Sequence, residues 1–285
     1  MLSALLAAAL AFTPADARFA RSVASGLVER HTPRDAGTPQ GRAAAEYLLK
    51  AVRGAGVDAR LDEFEAKTPK GVRRFANIEA EVRTDPAAPW VVLLSHFDTK
   101  PGTNCPGAND GAATSGLLVA VARAAARAGL ARGNILFVWT DGEECMESYA
   151  EDDGFWGSRR AAERLRARGV DVRGVICADM IGDRDLGIEI PRNVTPALAA
   201  AALAAASKVG ALRRVARTDM LVKDDHVPFL DAGFKAVDLI DFSYGSAPGL
   251  NDYWHTPKDT MDKVSETSLR TSGSILVEMT GILLK

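Results

Sequence analysis

Beyond residue 90 the chain alternates short, unbroken apolar runs with longer stretches in which apolar residues recur every three or four positions. The unbroken runs, residues 90–95, 134–140, 174–178 and 236–241, are rich in Val, Ile and Leu. Runs of that length and composition fit strands buried on both faces. Between them the helical spacing predicts helices over residues 113–128, 157–168 and 196–209, with a last one over 266–284. Strand and helix alternating in this way predicts a sheet with crossover helices.

Before residue 90 the pattern changes. Residues 41–56 place Tyr47, Leu48 and Val52 at helical spacing and end at Gly56, whereas residues 60–66 and 75–83 read as a hairpin around Thr68-Pro69-Lys70-Gly71. No internal repeat or low-complexity linker divides the chain, and the Ala-rich stretch 197–206 is explained by the helix propensity of Ala. The expected fold is therefore a single α/β domain, a central twisted, mostly parallel but mixed β-sheet flanked by helices.

At the N-terminus, Met1 to Phe12 is nearly all apolar, and Ala15-Asp16-Ala17 offers small residues where a signal peptidase would read. Residues 1–17 are thus expected to be a signal peptide and residues 18–285 the catalytic domain of an exported, periplasmic or secreted protein. No Lys or Arg lies near Met1, so a short buried N-terminal helix is the alternative. The apolar run is too short for a bilayer, which needs about 20 residues, and no later segment reaches that length.

A formal net charge of −2, with 47% hydrophobic and 25% charged residues, is ordinary globular composition. No Lys/Arg-rich block with interleaved aromatics is present, which argues against a nucleic-acid partner. The three cysteines include no CxxC pair, so neither a thiolate metal site nor a redox motif is indicated. Cys177 reads as a small core residue, while Cys105 and Cys145 lie in two site loops that an oxidising compartment could join.

Acid and imidazole chemistry concentrates in segments that follow apolar runs: His96 with Asp98, Asn109-Asp110-Gly111, Asp141-Gly142-Glu143-Glu144 and Trp254-His255-Thr256. In α/β sheets ligands collect at the carboxyl ends of strands, where His96, the Asp141–Glu144 group and Asp179 are all expected. Each member has a plain alternative: Asp110 as a helix N-cap, Asp98 as a turn former, His96 as a core histidine, the glutamates as a solvated turn. Together they suit a metal site, with neutral imidazole beside carboxylate oxygens. Glu143 and Glu144, being neighbours, point in different directions, so that one can hold a metal while the other faces substrate.

The order His-x-Asp, Asn-Asp-Gly, Asp-Gly-Glu-Glu, Asp-Met-Ile-Gly and Trp-His-Thr resembles the M28 zinc aminopeptidases and their relatives, the animal-type glutaminyl cyclases, over roughly residues 24–285. The blocks Lys223-Asp224-Asp225-His226-Val227-Pro228-Phe229-Leu230, His96-Phe97-Asp98-Thr99-Lys100 and Tyr253-Trp254-His255-Thr256 are more similar to the cyclases. A cyclase resemblance implies one zinc ion held by Asp110, Glu144 and His255, with Glu143 as general acid/base and Asp179 and Asp224 joined to it in a hydrogen-bond chain. An aminopeptidase resemblance implies two ions, Asp110 bridging, Glu144 and His255 on one, His96 and Asp179 on the other. Either implies peptide or protein substrates with a free N-terminus. It also implies a small pocket walled by Trp254, with Phe155 or Trp156 as further candidates. The loop 145–154 departs from the animal enzymes by lacking their tryptophan.

His226 is expected in the core, orienting Asp224, and His31 exposed in a polar loop. A silent homologue that uses its rim only for binding is the remaining reading. Retention of Asp110, Glu143, Glu144 and His255 together argues against it.

Overall fold

A computed structural model describes residues 10–130, 132–150 and 152–285. Helices α1 (Pro14–Arg30) and α2 (Pro39–Gly54) precede a hairpin of β1 (Ala59–Thr68) and β2 (Gly71–Val82). Then come β3 (Trp90–His96), a π-helical turn (Ala108–Ala113), α3 (Thr114–Ala128), β4 (Asn134–Thr140), α4 (Trp156–Arg168) and β5 (Val172–Asp179). The chain continues through β6 (Ile188–Ile190), α5 (Pro196–Lys208), β7 (Val215–Arg217), α6 (His226–Asp231), β8 (Ala236–Ile240) and α7 (Glu266–Leu283).

One eight-stranded mixed sheet has the order β1-β2-β4-β3-β5-β8-β6-β7. Its centre, β4-β3-β5-β8, is parallel, while β2 joins β4 and β6 joins β8 antiparallel. Successive side chains of a strand face opposite sides. Val91, Leu93, Ile135 and Phe137 accordingly share a core with α1, α2, α3, α5 and α7, and Val92, Leu94, Leu136 and Val138 share another with α4 and α6. Burial on both faces explains why these strands read as unbroken apolar runs.

The expected α/β fold is what forms, with boundaries shifted by caps. Thr38 accepts a hydrogen bond from Gly41 N and Pro39 occupies the first turn, so α2 starts two residues before the expected Gly41. The short elements β6, β7 and α6 carry too little periodicity to be anticipated.

The proposed leader lies mostly outside the described residues, but its cleavage point, between Ala17 and Arg18, falls inside α1. Thr13 and Asp16 form a capping box there, and the fully buried Asp16 carboxylate is held by Arg123 at 2.8 Å and Arg127 at 3.0 Å. Burial opposes ionisation of Asp16, yet the hydrogen bonds from Arg127, Thr13 and Arg123 outweigh it and hold the carboxyl well below the ordinary range. His31, expected to be exposed, is half-buried instead, because its amide ends α1 and its ring lies 5.2 Å from the Tyr47 ring. All three cysteines are free and buried. No Cys105–Cys145 bridge forms, since Cys145 Sγ takes a hydrogen bond from Lys100 and Cys105 faces Asp259.

Candidate active site

The carboxyl ends of the parallel strands converge on one rim. His96 ends β3, the Asp141–Glu144 loop follows β4, and Asp179 ends β5. The sheet register therefore brings together residues that are far apart in sequence. Asp110 sits between two imidazoles: its Oδ1 is 3.1 Å from His96 Nε2 and its Oδ2 is 3.4 Å from His255 Nε2. Asp179 Oδ1 lies 3.1 Å from the same His96 nitrogen, and Glu144 Oε1 lies 2.8 Å from His255 Nε2.

Two trios result, Asp110–Glu144–His255 and His96–Asp110–Asp179, each with ligand atoms within 4.8 Å of one another. Both are oxygen and imidazole sets of the kind that holds a divalent metal ion. All the metal ligands expected from the sequence are thus brought to one place, and Asp110 belongs to both trios.

Asp110 is not a helix N-cap. It is the one non-helical residue of the π-helical turn, at φ −97° and ψ 90°, which turns its carboxylate toward the histidines. The turn is held from two sides. Arg34, fully buried, donates to the carbonyls of Phe97, Pro106 (2.7 Å) and Gly107 (2.5 Å). Asp259 accepts from the amides of Asn109 (2.8 Å) and Asp110 (3.1 Å) and from the Tyr244 hydroxyl. A Cβ on Gly111 would come within 2.5 Å of His96 O and 2.8 Å of the His96 ring, so only glycine lets the turn approach the imidazole.

Asp98, which alone would read as a turn former, has a larger part. Its two oxygens accept the amides of Glu143 (3.2 Å) and Glu144 (3.1 Å), fixing the loop that carries both glutamates. It also lies 3.5 Å from His96 Nδ1, the position from which a carboxylate orients a ligand imidazole. Burial disfavours charge on His96, but its contacts with Asp110, Asp179 and Asp98 outweigh that and raise its pKa well above the usual value. His255 is likewise raised, burial being outweighed by Glu144 and Asp110.

Glu143 and Glu144 divide as their adjacency suggested: Glu144 meets His255, whereas Glu143 faces the cavity and has no salt-bridge partner among the described residues. Burial, then the neighbouring Glu144 charge, pushes the Glu143 carboxyl well above its ordinary pKa. The Tyr149 hydroxyl spans the pair, 2.8 Å from Glu144 Oε2 and 3.4 Å from Glu143 Oε2.

Behind them lies a store of buried acids. Burial raises Asp179 and Asp224 to about 6 and Asp225 to about 7, and holds Asp238 well above the carboxylate range. Asp224 takes a 3.4 Å contact from Cys177 Sγ. His226 is buried, as expected, with Nε2 beside Asn193, and burial lowers its pKa to about 4.

The cavity over these groups holds about 400 Å³, within the range of small-ligand sites. Trp254 walls it, stacked at 3.9 Å on the His255 ring and edge-on to Phe242 at 5.6 Å. His255, a member of the first trio, and Met180, next to Asp179, adopt positive φ of 56° and 51°, strain of the kind that collects at functional sites. Phe155 and Trp156 do not line this cavity: Phe155 stacks on Tyr149 and Trp156 on Phe75.

Residues missed from the sequence are Tyr149, Arg34, Asp259, Asp238 and Lys100, whose ammonium lies 3.7 Å from Glu144 and 4.8 Å over the Tyr149 ring. Two of these carried a signal: Tyr149, standing in the loop that departs from the animal enzymes, and Lys100, which ends a block similar to the cyclases.

Residues 77–280 match peptidase family M28. A glutaminyl cyclase of an Acidobacteriales bacterium superposes with a TM-score of 0.89 at 29% identity, covering 99% of this chain and 98% of that one. A Bos taurus protein named glutaminyl-peptide cyclotransferase-like protein is 27% identical, over 88% of this chain and 71% of its own length. A leucine aminopeptidase precursor of Bacteroides thetaiotaomicron shares the fold, with a TM-score of 0.82 at 22% identity over 95% and 97% of the two chains.

Proposed function

The chain belongs to peptidase family M28, and from that premise we propose that it is a zinc-dependent glutaminyl-peptide cyclotransferase, converting N-terminal glutamine to pyroglutamate with release of ammonia. The observation that carries this reading is Glu143, a buried carboxyl with no salt bridge to a cation among the described residues, beside the compact Asp110–Glu144–His255 trio at the floor of a small, partly aromatic cavity. The cyclotransferase and cyclase names of the similar proteins support it.

The donor set fits zinc: two carboxylates and one imidazole leave a coordination position for substrate. Bound there, zinc would polarise the γ-carbonyl of the substrate glutamine and stabilise the charge that develops on its oxygen. Glu143 accepts a proton from the α-amine as that nitrogen attacks the carbonyl carbon of the side-chain carboxamide, then delivers it to the amide nitrogen as the carbon–nitrogen bond of the carboxamide breaks and ammonia leaves. Atoms balance without water. Asp179 and Asp224, both raised by burial, line the same cavity as Glu143 and take up protons more readily than ordinary carboxylates. Trp254 and Phe242, packed edge-on to each other, form an apolar part of the cavity wall.

One observation favours a second reading. The His96–Asp110–Asp179 trio is as compact as the first, and a second ion there would suit a two-metal aminopeptidase. A paired assay separates the two. Ammonia release from Gln-peptides without peptide-bond cleavage supports the cyclotransferase. Free N-terminal amino acids released from Leu- and Ala-peptides, two tightly held zinc ions per chain, and no ammonia would establish the aminopeptidase instead.

A further inference from the structure

The cavity has an apolar lip that the reaction itself does not require. Met220 and Leu221, at its mouth, are 41% and 66% exposed, in a chain that otherwise buries most of its large apolar residues. The lip is built on a pinned backbone. Arg192 N donates to Met220 O at 2.9 Å, Asn193 both accepts from Val222 N (3.0 Å) and donates to Val222 O (2.6 Å), and Lys223 Nζ reaches Tyr149 O at 2.8 Å. Val222 packs inward with Met180, Ile240 and Tyr244. Held at these points, the loop cannot fold Met220 and Leu221 into the interior, and adjacent apolar side chains displayed at the rim of a site mark a surface for a ligand.

What covers them follows from the polarity of the cavity. Its floor is carboxylate and imidazole, which takes the amine and carbonyl of the first substrate residue, so the peptide must leave past the mouth. We propose that Met220 and Leu221 form a subsite for an apolar side chain at the second position of the substrate. The proposal rests on the cyclotransferase reading for its choice of substrate, since the occupant is the residue that follows the N-terminal glutamine.

The experiment compares kcat/KM for Gln-Leu, Gln-Phe, Gln-Gly and Gln-Glu peptides on the wild-type protein and on Leu221→Ser and Met220→Ser. Partial burial of one leucine-sized side chain is worth on the order of tenfold. The wild type is therefore expected to favour Leu or Phe over Gly by about that factor, chiefly through KM, and each variant should bring the Leu:Gly ratio toward one. A ratio unchanged in both variants overturns the subsite. So does a wild-type preference for Gln-Glu, which would instead mark the Lys223 ammonium as the discriminating group. If no Gln-peptide is cyclised, the reaction assignment fails separately, and the same ratios measured on cleavage of Ala-Leu and Ala-Gly peptides still decide the lip. Because both positions are substantially exposed, the variants are expected to fold, which far-UV circular dichroism checks.

Discussion

Replacing Arg34 with Met should damage both stability and metal binding, although Arg34 belongs to neither trio of ligands. The methionine keeps an unbranched apolar stem while removing every donor, leaving the buried carbonyl of Phe97 and the half-buried carbonyl of Pro106 without their partner, while Gly107 O keeps the amide of Ala112. A buried polar group left unsatisfied costs about 1–3 kcal/mol, so two carbonyls set a ceiling of roughly 2–6 kcal/mol. Two effects reduce that figure. The loop relaxes, and the guanidinium no longer has to be desolvated, a cost visible in how burial lowers the Arg34 pKa against the opposing pull of Asp259 and other nearby anions. A loss of about 2–4 kcal/mol remains, a large share of a typical domain stability of about 5–15 kcal/mol.

Urea unfolding of metal-free protein would read this as a lower midpoint at unchanged slope. Zinc affinity should fall at least tenfold, because the Arg34 grip on the turn sets where the Asp110 carboxylate points. Lys at the same position should rescue little, since one ammonium cannot serve several diverging carbonyls as a planar fork does. Arg74→Met, at an exposed ion pair with Glu65, is the control and should change neither quantity. An Arg34→Met protein with wild-type midpoint and zinc affinity would refute the claim that this side chain holds the turn.

Three further outcomes are expected. Glu143→Gln should cut turnover about a hundredfold or more while zinc stays bound, whereas His255→Ala should lose the metal itself; atomic absorption beside the ammonia assay separates the two, and a Glu143→Gln enzyme of near wild-type rate would remove Glu143 from proton transfer. Burial raises the folded pKa of Asp241 to about 7, so its ionisation opposes folding: that penalty is absent below the unfolded pKa of about 3.9 and grows as pH rises through 7. Asp241→Asn should therefore gain on the wild type by a few kcal/mol between pH 4 and pH 8, and a pH-independent difference would contradict the buried-acid account. A chain beginning at Arg18 lacks the Thr13 cap and Asp16, and should unfold roughly 2–4 kcal/mol more easily than one beginning at Phe12. N-terminal sequencing of protein from the native host tests the export proposal, with Arg18 as the first residue supporting it and an intact Met1 opposing it.

Periodicity settled much of this protein before any coordinates. Unbroken apolar runs can be satisfied only by strands covered on both faces, so the central parallel strands and their crossover helices were legible, and strand ends pointed to His96, Glu143, Glu144 and Asp179. The ligand types were legible too, because a handful of histidines standing beside acidic turns leaves few arrangements. Caps and packing were harder to read. The role of the Thr13–Asp16 capping box was not legible, because its stabilising partners, Arg123 and Arg127, lie on another helix more than a hundred residues away. Asp98 and Arg34 show the same limit. Each is locally an ordinary polar residue of a loop, and each becomes structural only when the sheet register carries backbone amides or carbonyls from distant segments within its reach. Tyr149 bridges two glutamates because the loop after β4 folds back over them, and nothing in a tyrosine among acidic residues specifies that return. Hydrophobic pattern is a local property with a fixed period, so sequence determines the elements and their buried faces. Hydrogen bonds to a buried group depend on which segments meet, and that was decided only in three dimensions.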